Sequence, residues 1–497
     1  MIDMMNLIKQ TLNQEKTFTE NGALSYQTSG HELLDLNFQV SSLRNKGNSE
    51  IKKMFTKAFF ENPDLAVRWL FYLRDVRGGM GERRSFRIMM EALAEVRPEE
   101  TKRLLPLISE YGRWNDLVYL SRFKQLEEAC FDIIQKQLKQ DAENYLDNKP
   151  ISLLAKWLPS EKPKRVEDKV FVSRFLAKYE VTRSNYRKSL KTLRNALKVV
   201  ECQMTSGRWS DIDYNIVPSR ANLIYNAAFL KHDEERRREF LESLKKGDKD
   251  AKINAGTLFP SDIVHNYRGK FGYDETLEQL WKNLPNTETQ GDVIVVADGS
   301  GSMNWHFLAG THIYPLDISN ALAIYFAEKM KGPYANRYIT FSDRPQYVNL
   351  SIAKSLHDKI HIAYQYNDCS NTNIVRTFDL ILNTAINNQL VQSDLPSTVL
   401  VISDMEFDQC GYHVPFDLIK KEWKAAGYQM PKLVFWNVCG RSGGIPIQQN
   451  QAGVVLLSGF SPAVYKMAMN NETDPYQALI HVVMDSRYDA VTTAWNG

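Results

Sequence analysis

Cysteine is scarce in this sequence, and its spacing excludes two common ways of stabilising a fold. The 497 residues contain five cysteines, and no two of them form a CxxC pair. Disulfide frameworks use even, closely spaced sets of cysteines, and structural zinc sites use pairs. The pattern therefore argues against disulfides and zinc and is typical of a reducing compartment.

Long apolar runs are also missing. None approaches the roughly 18–20 residues that a membrane helix needs. The N-terminal segment has no apolar core followed by a small-residue cleavage site, so it is not expected to be a secretory signal. We therefore expect a cytoplasmic protein without a membrane partner.

Several common catalytic signatures are absent from the sequence. GxxxxGK[ST], HExxH and the protein kinase motifs do not occur. This argues against the NTPase, zinc protease and kinase classes that those motifs define, and we expect a protein that is not an enzyme.

The chain is long enough for two or three domains, and its charge is unevenly distributed. Residues 1–290 contain 48 Lys and Arg against 41 Asp and Glu, whereas residues 291–497 contain 14 against 18. The balances are +7 and −4. The first part is therefore suited to an acidic partner, and the second to a cation.

Residues 33–286 have the apolar periodicity of amphipathic helices. Segments such as 50–76, 82–96 and 123–146 place apolar residues three and four positions apart and are separated by short Gly, Pro or Asn turns. Many short helices in succession predict stacked helix pairs, a HEAT-like α-solenoid, although no fixed-period repeat is present. Residues 1–32 are a separate N-terminal segment.

Residues 287–497 alternate short apolar strands with helices. The strand segments are 292–300, 337–342, 397–404, 432–438 and 452–459, and helical segments lie between most of them. This alternation predicts a mostly parallel sheet covered on both faces. Ligands of such sheets bind at the carboxyl ends of the strands.

A set of oxygen-bearing side chains follows these strands. The first strand ends in a DxSxS turn with Asp298, Ser300 and Ser302, Thr372 precedes a long helix, and Asp404 follows the third strand. Hard oxygen ligands suit Mg²⁺, with Mn²⁺ or Ca²⁺ as alternatives. A DxSxS turn by itself is equally explained as a helix N-cap, but the strand context and the two further loops favour a metal site.

We also considered a metal-dependent phosphoesterase. Such an enzyme usually places a general base beside the metal-bound water. His306 and His312 are near the DxSxS turn in sequence but lack a carboxylate partner at a meaningful spacing, so surface positions are expected. Glu406 and Asp408 are expected to be solvated or to act behind the metal ligands.

Two basic features stand out in the helical part. A glycine-rich turn carries Arg77, Arg83 and Arg84, which suit either bidentate contacts to phosphate or ion pairs within an inter-helix turn. Residues 162–208 contain 13 Lys and Arg against 4 Asp and Glu. Helical spacing would place five of these cations on one narrow arc beside a leucine stripe: Arg183, Arg187, Lys191, Arg194 and Lys198. We call these five residues the basic ridge and predict that it binds RNA.

The second part, with its DxSxS turn, Thr372 and Asp404, resembles the von Willebrand A domain. That resemblance implies a metal-ion-dependent adhesion site in which Ser300, Ser302 and Thr372 bind the cation directly. Asp298 and Asp404 would bind it directly or through water. The remaining coordination position would accept an acidic group from a partner.

The segments FYLRDVRGGMGERRSFR, YGRWND, LLAKWLPS and GRWSDIDYNIVPS resemble a family known as a domain of unknown function, over nearly the whole chain. That family is similar to the TROVE proteins, which include the Ro autoantigen. The resemblance implies a ring of helical repeats that binds single-stranded RNA ends and structured RNA. The sequence thus predicts a non-enzymatic RNA-binding scaffold with an adhesion site, and the alternative is a metal-dependent assembly protein that does not bind RNA.

Overall fold

The structure is a computed structural model that describes most of the chain. The described residues are 16–18, 24–26, 28–268, 270, 272–286, 292–367, 372–405, 416–440, 454–469 and 474–497. They form two units. One comprises residues 1–50 and 258–483 and contains the main sheet, and the other comprises residues 51–257 and 484–497 and is helical. None of the described helices is long and apolar enough to cross a membrane.

The first elements of the chain belong to the sheet unit. Strands β1 (Lys16–Phe18) and β2 (Leu24–Tyr26) form an antiparallel pair, and helix α1 (Glu32–Phe38) follows them. Helix α2 (Asn48–Glu61) begins at the border between the units.

The helical unit continues from α2 with short helices joined by tight turns, and its last helix comes from the C-terminus of the chain. Consecutive helices such as the third and fourth pack against each other through the apolar faces that the periodicity predicts. The helices are α3 (Pro63–Arg74), α4 (Arg84–Val96), α5 (Pro98–Leu104), α6 (Ile108–Tyr111), α7 (Trp114–Leu120), α8 (Glu127–Leu146), α9 (Leu154–Trp157), α10 (Val166–Lys178), α11 (Arg183–Ala196), α12 (Val200–Thr205), α13 (Ser219–His232) and α14 (Glu234–Lys246). The predicted helical repeat and ring remain predictions.

The sheet unit resumes with two helices that the sequence prediction had placed in the helical domain. Its remaining helices are α15 (Pro260–Tyr267), α16 (Glu275–Lys282), α17 (Pro315–Lys329), α18 (Leu356–Gln365), α19 (Ile374–Asn387), α20 (Phe416–Ala425), α21 (Lys466–Met469) and α22 (Pro475–Val483). The strands are β3 (Val293–Asp298), β4 (Arg337–Phe341), β5 (Tyr347–Asn349), β6 (Thr398–Ser403), β7 (Lys432–Asn437) and β8 (Val454–Ser458). Helix α23 (Asp489–Asn496) then ends the chain in the helical unit.

The main sheet has the order β5-β4-β3-β6-β7-β8 and is parallel except for the edge strand β5. The fully apolar runs of β3 and β6 are buried along their whole length, as expected for strands covered on both faces. The strand order reverses between β3 and β6, and such a switch point leaves a crevice at the carboxyl ends of the strands. All five predicted strands are present, and the short edge strand β5 was not predicted.

The predicted domain boundaries at residues 33 and 286 differ from the borders of the units. Near the N-terminus, Phe38 lies in the core of the sheet unit, the side chain of Asn437 donates to its carbonyl at 3.0 Å, and the Ser41 hydroxyl donates to Asn437 Oδ1 at 2.9 Å. Farther along, the Trp281 indole on α16 donates to the carboxylate of Glu328 on α17 at 2.8 Å. Helical periodicity is the same wherever a helix packs, so it could not assign these segments.

The C-terminal residues also cross the predicted boundary. Arg68 on α3 pairs with Asp489 at 3.0 Å, and the Trp495 ring packs edge-on against Phe59 of α2. Arg103 on α5 donates to the last carbonyls of α23 at 2.6 and 3.0 Å. The chain therefore returns to the helical unit after completing the sheet unit.

Candidate metal centre and basic surface

The DxSxS turn lies where β3 ends, at the switch point of the sheet. Asp298 is the last residue of β3 and is 1% exposed. Its Oδ1 atom accepts a hydrogen bond from the backbone N–H of Ser300 at 2.9 Å, and the hydroxyls of Ser300 and Ser302 are 3.0 Å apart. Both serines are half-buried. The turn thus brings a carboxylate and two hydroxyls together.

The neighbouring strand β6 supplies the second half of this centre. Ala297 pairs with Ile402 across the two strands, so the residues that follow them lie side by side. The Ser403 hydroxyl donates to Oδ2 of Asp298 at 2.6 Å and accepts from the Met405 backbone at 3.0 Å. Asp404 lies between these two residues and is 3% exposed. Sequence reasoning did not identify Ser403 as the residue that fixes the orientation of Asp298.

The two aspartates form a buried acidic pair. Burial raises the pKa of Asp298 to about 7, and the nearby carboxylate of Asp404 acts in the same direction. Within the described residues, no Lys, Arg or His forms an ion pair with Asp298. A buried carboxylate that no cation neutralises is costly, so Asp298 favours a positively charged ligand beside it.

Asn367, which follows α18, lies against the DxSxS turn. A Cβ atom at Gly299 would lie 2.7 Å from the side-chain oxygen of Asn367, so only glycine fits there. The Asn367 amide nitrogen is buried without a hydrogen-bond partner in the described structure. Thr372 begins the stretch after residues 368–371 and is 3% exposed. The interactions of Thr372 with the other four predicted ligands stay a prediction.

The donor set fits a hard divalent cation. Carboxylate and hydroxyl oxygens are the groups that Mg²⁺ and Ca²⁺ prefer, and water completes their shells. In the described part of the chain, no three His, Cys, Asp or Glu side chains are grouped as a metal site. With the described residues alone, a metal at the carboxyl end of β3 would need hydroxyl ligands beside the carboxylates, and the DxSxS turn offers two.

A polar network behind the DxSxS turn was not predicted from the sequence. Arg268 donates to Asn304 in this turn at 2.7 Å and pairs with buried Asp317 at 3.1 Å. The same carboxylate accepts from Tyr364 at 2.5 Å and lies 2.9 Å from His265 Nδ1. These residues come from α15, α17 and α18 and the segments beside them, so no local motif could have revealed them. The network holds the turn against the helices of the sheet unit.

Of the four residues considered for catalysis, the structure describes the two histidines. His306 and His312 are exposed, as the surface interpretation expected. Glu406 and Asp408 lie outside the described residues. The absence of enzymatic activity stays a prediction.

Two members of the basic ridge, both on α11, are exposed to solvent. Arg187 and Lys191 are exposed, and in the described structure neither forms an ion pair. Between them, Leu190 is buried and anchors the helix, as does Leu193. Lys198 departs from the prediction, because α11 ends at Ala196 and Lys198 has a left-handed backbone, with φ of 48°. It is exposed but does not continue the helical arc.

The other two ridge residues make contacts within the protein. Arg194 donates to the carbonyls of Ala155 and Leu158 at 2.9 and 2.7 Å and to the Ser160 hydroxyl at 3.0 Å. Arg183 donates to the carbonyl of Glu161 at 2.6 Å. Arg194 therefore fixes the segment around α9, and its contact with RNA stays a prediction.

The glycine-rich turn between α3 and α4 is tightly built. A Cβ atom at Gly79 would lie 2.1 Å from the carbonyl oxygen of Tyr72, so a side chain is excluded there. Arg77 is exposed and donates to the carbonyl of Glu110 at 2.6 Å. Arg83 and Arg84, at the start of α4, are exposed as well.

Asp75, one of the two carboxylates in this segment, pairs with a residue from the C-terminal segment of the chain. Asp75 is fully buried and pairs with Arg487, and the Tyr488 hydroxyl also donates to it at 3.1 Å. The Arg77 backbone N–H donates to the same carboxylate at 3.0 Å. The turn is therefore held by the C-terminal segment of the helical unit.

Comparisons with known proteins match both parts of the chain. Family models for two domains of unknown function match it, DUF2828 over residues 19–120 and 173–296 and DUF7788 over residues 292–491. The uncharacterized protein L728 of Acanthamoeba polyphaga mimivirus is 30% identical over 510 residues, covering 94% of this chain and 87% of that protein. Among solved structures, the Ro (Rsr) protein of Deinococcus radiodurans aligns with a TM-score of 0.36 and 14% identity, covering 89% of this chain and 91% of that chain.

Proposed function

Since the chain belongs to the same family as the mimivirus protein L728, we propose one function for the arrangement they share: a non-enzymatic, RNA-binding scaffold with a divalent-cation site. The helical unit would bind RNA through exposed cations. The sheet unit would bind Mg²⁺ and, through it, an acidic ligand. In this proposal the sheet unit is a von Willebrand A domain, and the helical unit is related to the TROVE proteins.

The observation that carries the cation site is the buried pair of Asp298 and Asp404. Two neighbouring carboxylates at the carboxyl ends of adjacent parallel strands repel each other unless a cation lies between or beside them. The hydroxyls of Ser300 and Ser302 face the same turn and remain half-buried. We propose that these four side chains and Thr372 hold Mg²⁺ and that one coordination position is open to a partner.

The surroundings of this centre favour a protein ligand with an acidic side chain. Trp305 is 74% exposed and Phe307 is 48% exposed, and both lie in the loop that follows the DxSxS turn. Exposed large apolar side chains next to a cation suit a carboxylate flanked by apolar residues. The carboxylate would bind the cation, and the apolar neighbours would pack on Trp305 and Phe307.

The observation that supports RNA binding is the pair of free cations on α11. Arg187 and Lys191 lie one turn apart on an exposed face, and no acidic residue of α11 balances them. Phosphate contacts of this kind release counterions and give affinity that depends steeply on salt. An acidic protein surface would also fit these cations. In the alternative function, an assembly protein that does not bind RNA, such a surface would be the partner.

Calorimetry with Mg²⁺ and Mn²⁺ tests the cation site. We expect the wild-type protein to bind one cation and Asp298→Ala and Thr372→Ala to lose that binding while still unfolding cooperatively. Asp292→Asn, at the opposite end of β3, is the matched control and should bind normally. Unchanged affinity in both alanine variants would eliminate the proposed site.

A salt titration with single-stranded RNA tests the helical unit. Changing Arg187 and Lys191 together to Gln should weaken binding and flatten the log–log salt dependence by about 1.4, at about 0.7 for each contact to a single strand. The control changes Lys124 and Lys231, two exposed cations outside α11, to Gln. A ridge variant with wild-type affinity and slope would remove α11 as an RNA site, and wild-type protein that binds no RNA would favour the assembly function.

A further inference from the structure

Three sequence segments that are far apart in the chain meet around one buried carboxylate. Asp116 is fully buried and lies in the segment YGRWND. Arg74 and Arg87, from the glycine-rich turn and its flanking helices, pair with Asp116 at 2.7 and 2.6 Å. The guanidinium of Arg113 lies 5.0 Å from the ring centroid of Trp157, which belongs to the segment LLAKWLPS. Each of these segments stands out in the sequence, and the structure brings them together.

Two arginines pair with the Asp116 carboxylate. Oδ1 accepts from Nε of Arg87 at 2.7 Å, and Nη2 of Arg87 lies 2.6 Å from it. Oδ2 accepts from Nε of Arg74 at 2.9 Å and from the backbone N–H of Arg113 at 3.1 Å, and Nη2 of Arg74 lies 2.7 Å from it. A Cβ atom at Gly112 would lie 2.7 Å from Oδ2, so the backbone at Gly112 packs closely against the Asp116 carboxylate. Two arginines therefore share one negative charge.

Further guanidinium groups lie near this site, and in the described structure they are not paired with a carboxylate. Among the described residues, Arg83, Arg113 and Arg122 form no ion pair, and Arg83 and Arg122 are exposed. Arg87 and Arg122 each lie against the Tyr119 ring, at 4.7 and 4.9 Å from its centroid. We call Arg83, Arg87, Arg113 and Arg122 the arginine cluster.

The members of the cluster repel one another. Burial lowers the pKa of Arg113, and the positive charges of Arg74 and Arg83 lower it further. Burial also lowers the pKa of Arg87, Asp116 opposes that change, and Arg83 adds to it. Repulsion among fixed, permanently charged groups is relieved by an anion, and guanidinium groups match the oxygens of phosphate in geometry.

We propose that the arginine cluster binds phosphate groups of single-stranded RNA, with Trp157 and Tyr119 as aromatic surfaces beside the bound strand. This rests on the RNA part of the proposed function and adds a second site to the free cations of α11. Both rings are half-buried, so each presents some surface to a nucleotide. The cluster comprises four arginines and two rings drawn from α4, α7, α9 and their adjoining turns.

A structural link connects the cluster with the basic ridge. The side chain of Arg194 on α11 holds the carbonyls of Ala155 and Leu158, which flank Trp157. The Trp157 ring in turn carries the Arg113 guanidinium. The helix with the free cations and the arginine cluster are therefore fixed to the same short helix α9, and a single strand that touches both would follow a rigid path within the helical unit.

The first test uses inorganic pyrophosphate, which probes the phosphate site without RNA. At low salt, pyrophosphate should raise the Tm of the full-length protein, and the double variant Arg83→Gln, Arg113→Gln should lose that increase. Arg83→Gln alone should lose part of it, and because Arg83 is exposed this variant should fold normally. Lys124→Gln is the control and should respond like the wild type.

The second test measures binding of a uridine decanucleotide to the same variants. We expect about a tenfold weaker affinity for the double variant and a salt slope that is flatter by about 1.4. If the protein binds pyrophosphate but not RNA, the phosphate site is supported and the proposed RNA-binding function is contradicted. RNA binding that is unchanged in the double variant, or a wild-type protein whose Tm does not respond to pyrophosphate, would overturn the site.

Discussion

Asp298→Asn should have opposite effects on the protein with and without metal. In the metal-free protein, the Asp298 carboxylate is buried beside Asp404, and its pKa is raised from an ordinary value of 3.8 to about 7. At pH 8 the ionised group therefore opposes folding by at most about 4 kcal/mol, at about 1.4 kcal/mol for each pH unit. Asparagine removes that charge with almost no change of shape.

The amide also weakens one contact, which reduces the expected gain. Ser403 now donates to Oδ2 of Asp298 and accepts from Met405, so the NH₂ group that Asp298→Asn introduces would leave the Ser403 hydroxyl without its acceptor. Losing such a bond costs about 1 kcal/mol. The net gain is therefore at most about 3 kcal/mol, or roughly 6–12 °C in the Tm of the sheet unit at roughly 2–4 °C for each kcal/mol.

The pH dependence has a defined sign. Because the folded-state pKa of Asp298 lies above its unfolded value, its cost to the wild type grows between pH of about 4 and about 7 and is constant above that range. At pH 4.5 the cost is about 1 kcal/mol, so the variant should lose its advantage there.

Differential scanning calorimetry in EDTA and in Mg²⁺ measures both effects. In EDTA at pH 8 the variant should melt above the wild type. In Mg²⁺ at about 100 times its Kd, the wild type should gain about 2.7 kcal/mol and the variant nothing, which removes or reverses the difference. Asp292→Asn should follow the wild type in both buffers. A variant that melts below the wild type in EDTA at pH 8, or that keeps the Mg²⁺ response, would refute the reasoning.

Three further outcomes are expected. Arg194→Gln should lower the Tm of the helical unit, because it loses three hydrogen bonds around α9, whereas Lys191→Gln should leave the Tm unchanged; equal melting curves would contradict this. Gly112→Ala should destabilise by about 2 kcal/mol or more in urea unfolding, because its Cβ would meet the carboxylate of Asp116 at 2.7 Å, and Gly256→Ala, with open space around it, should not. Homogeneous protein with Mg²⁺ or Mn²⁺ should hydrolyse neither p-nitrophenyl phosphate nor RNA, and an activity abolished by Asp298→Ala would reverse that expectation.

The sequence determined the elements of the sheet unit because its strands and helices have distinct local patterns. Uninterrupted apolar runs such as that of β6 occur in strands covered on both faces, and all five such runs form strands. The edge strand β5 has three residues and only one fully buried side chain, so no run marks it.

The acidic centre could also be predicted from the sequence. Asp298 and Asp404 each follow an apolar strand, and parallel strands have their carboxyl ends at the same edge of the sheet. Their proximity therefore follows from topology alone. Arg268, which holds the turn from the side of α15, could not be found in this way, because its contact with Asn304 joins two segments without a shared pattern.

Only the tertiary structure decided which cations are free and where each unit ends. Arg187 and Arg194 occupy similar positions in the periodicity of α11, yet Arg194 is bound to carbonyls near α9 while Arg187 is exposed. In the same way, the segments around α1 and α23 pack with parts of the chain more than 350 residues away. Local periodicity shows that a helix has an apolar face and a charged face. The partner of each face is set by shape and hydrogen bonding between distant segments, which local periodicity does not encode.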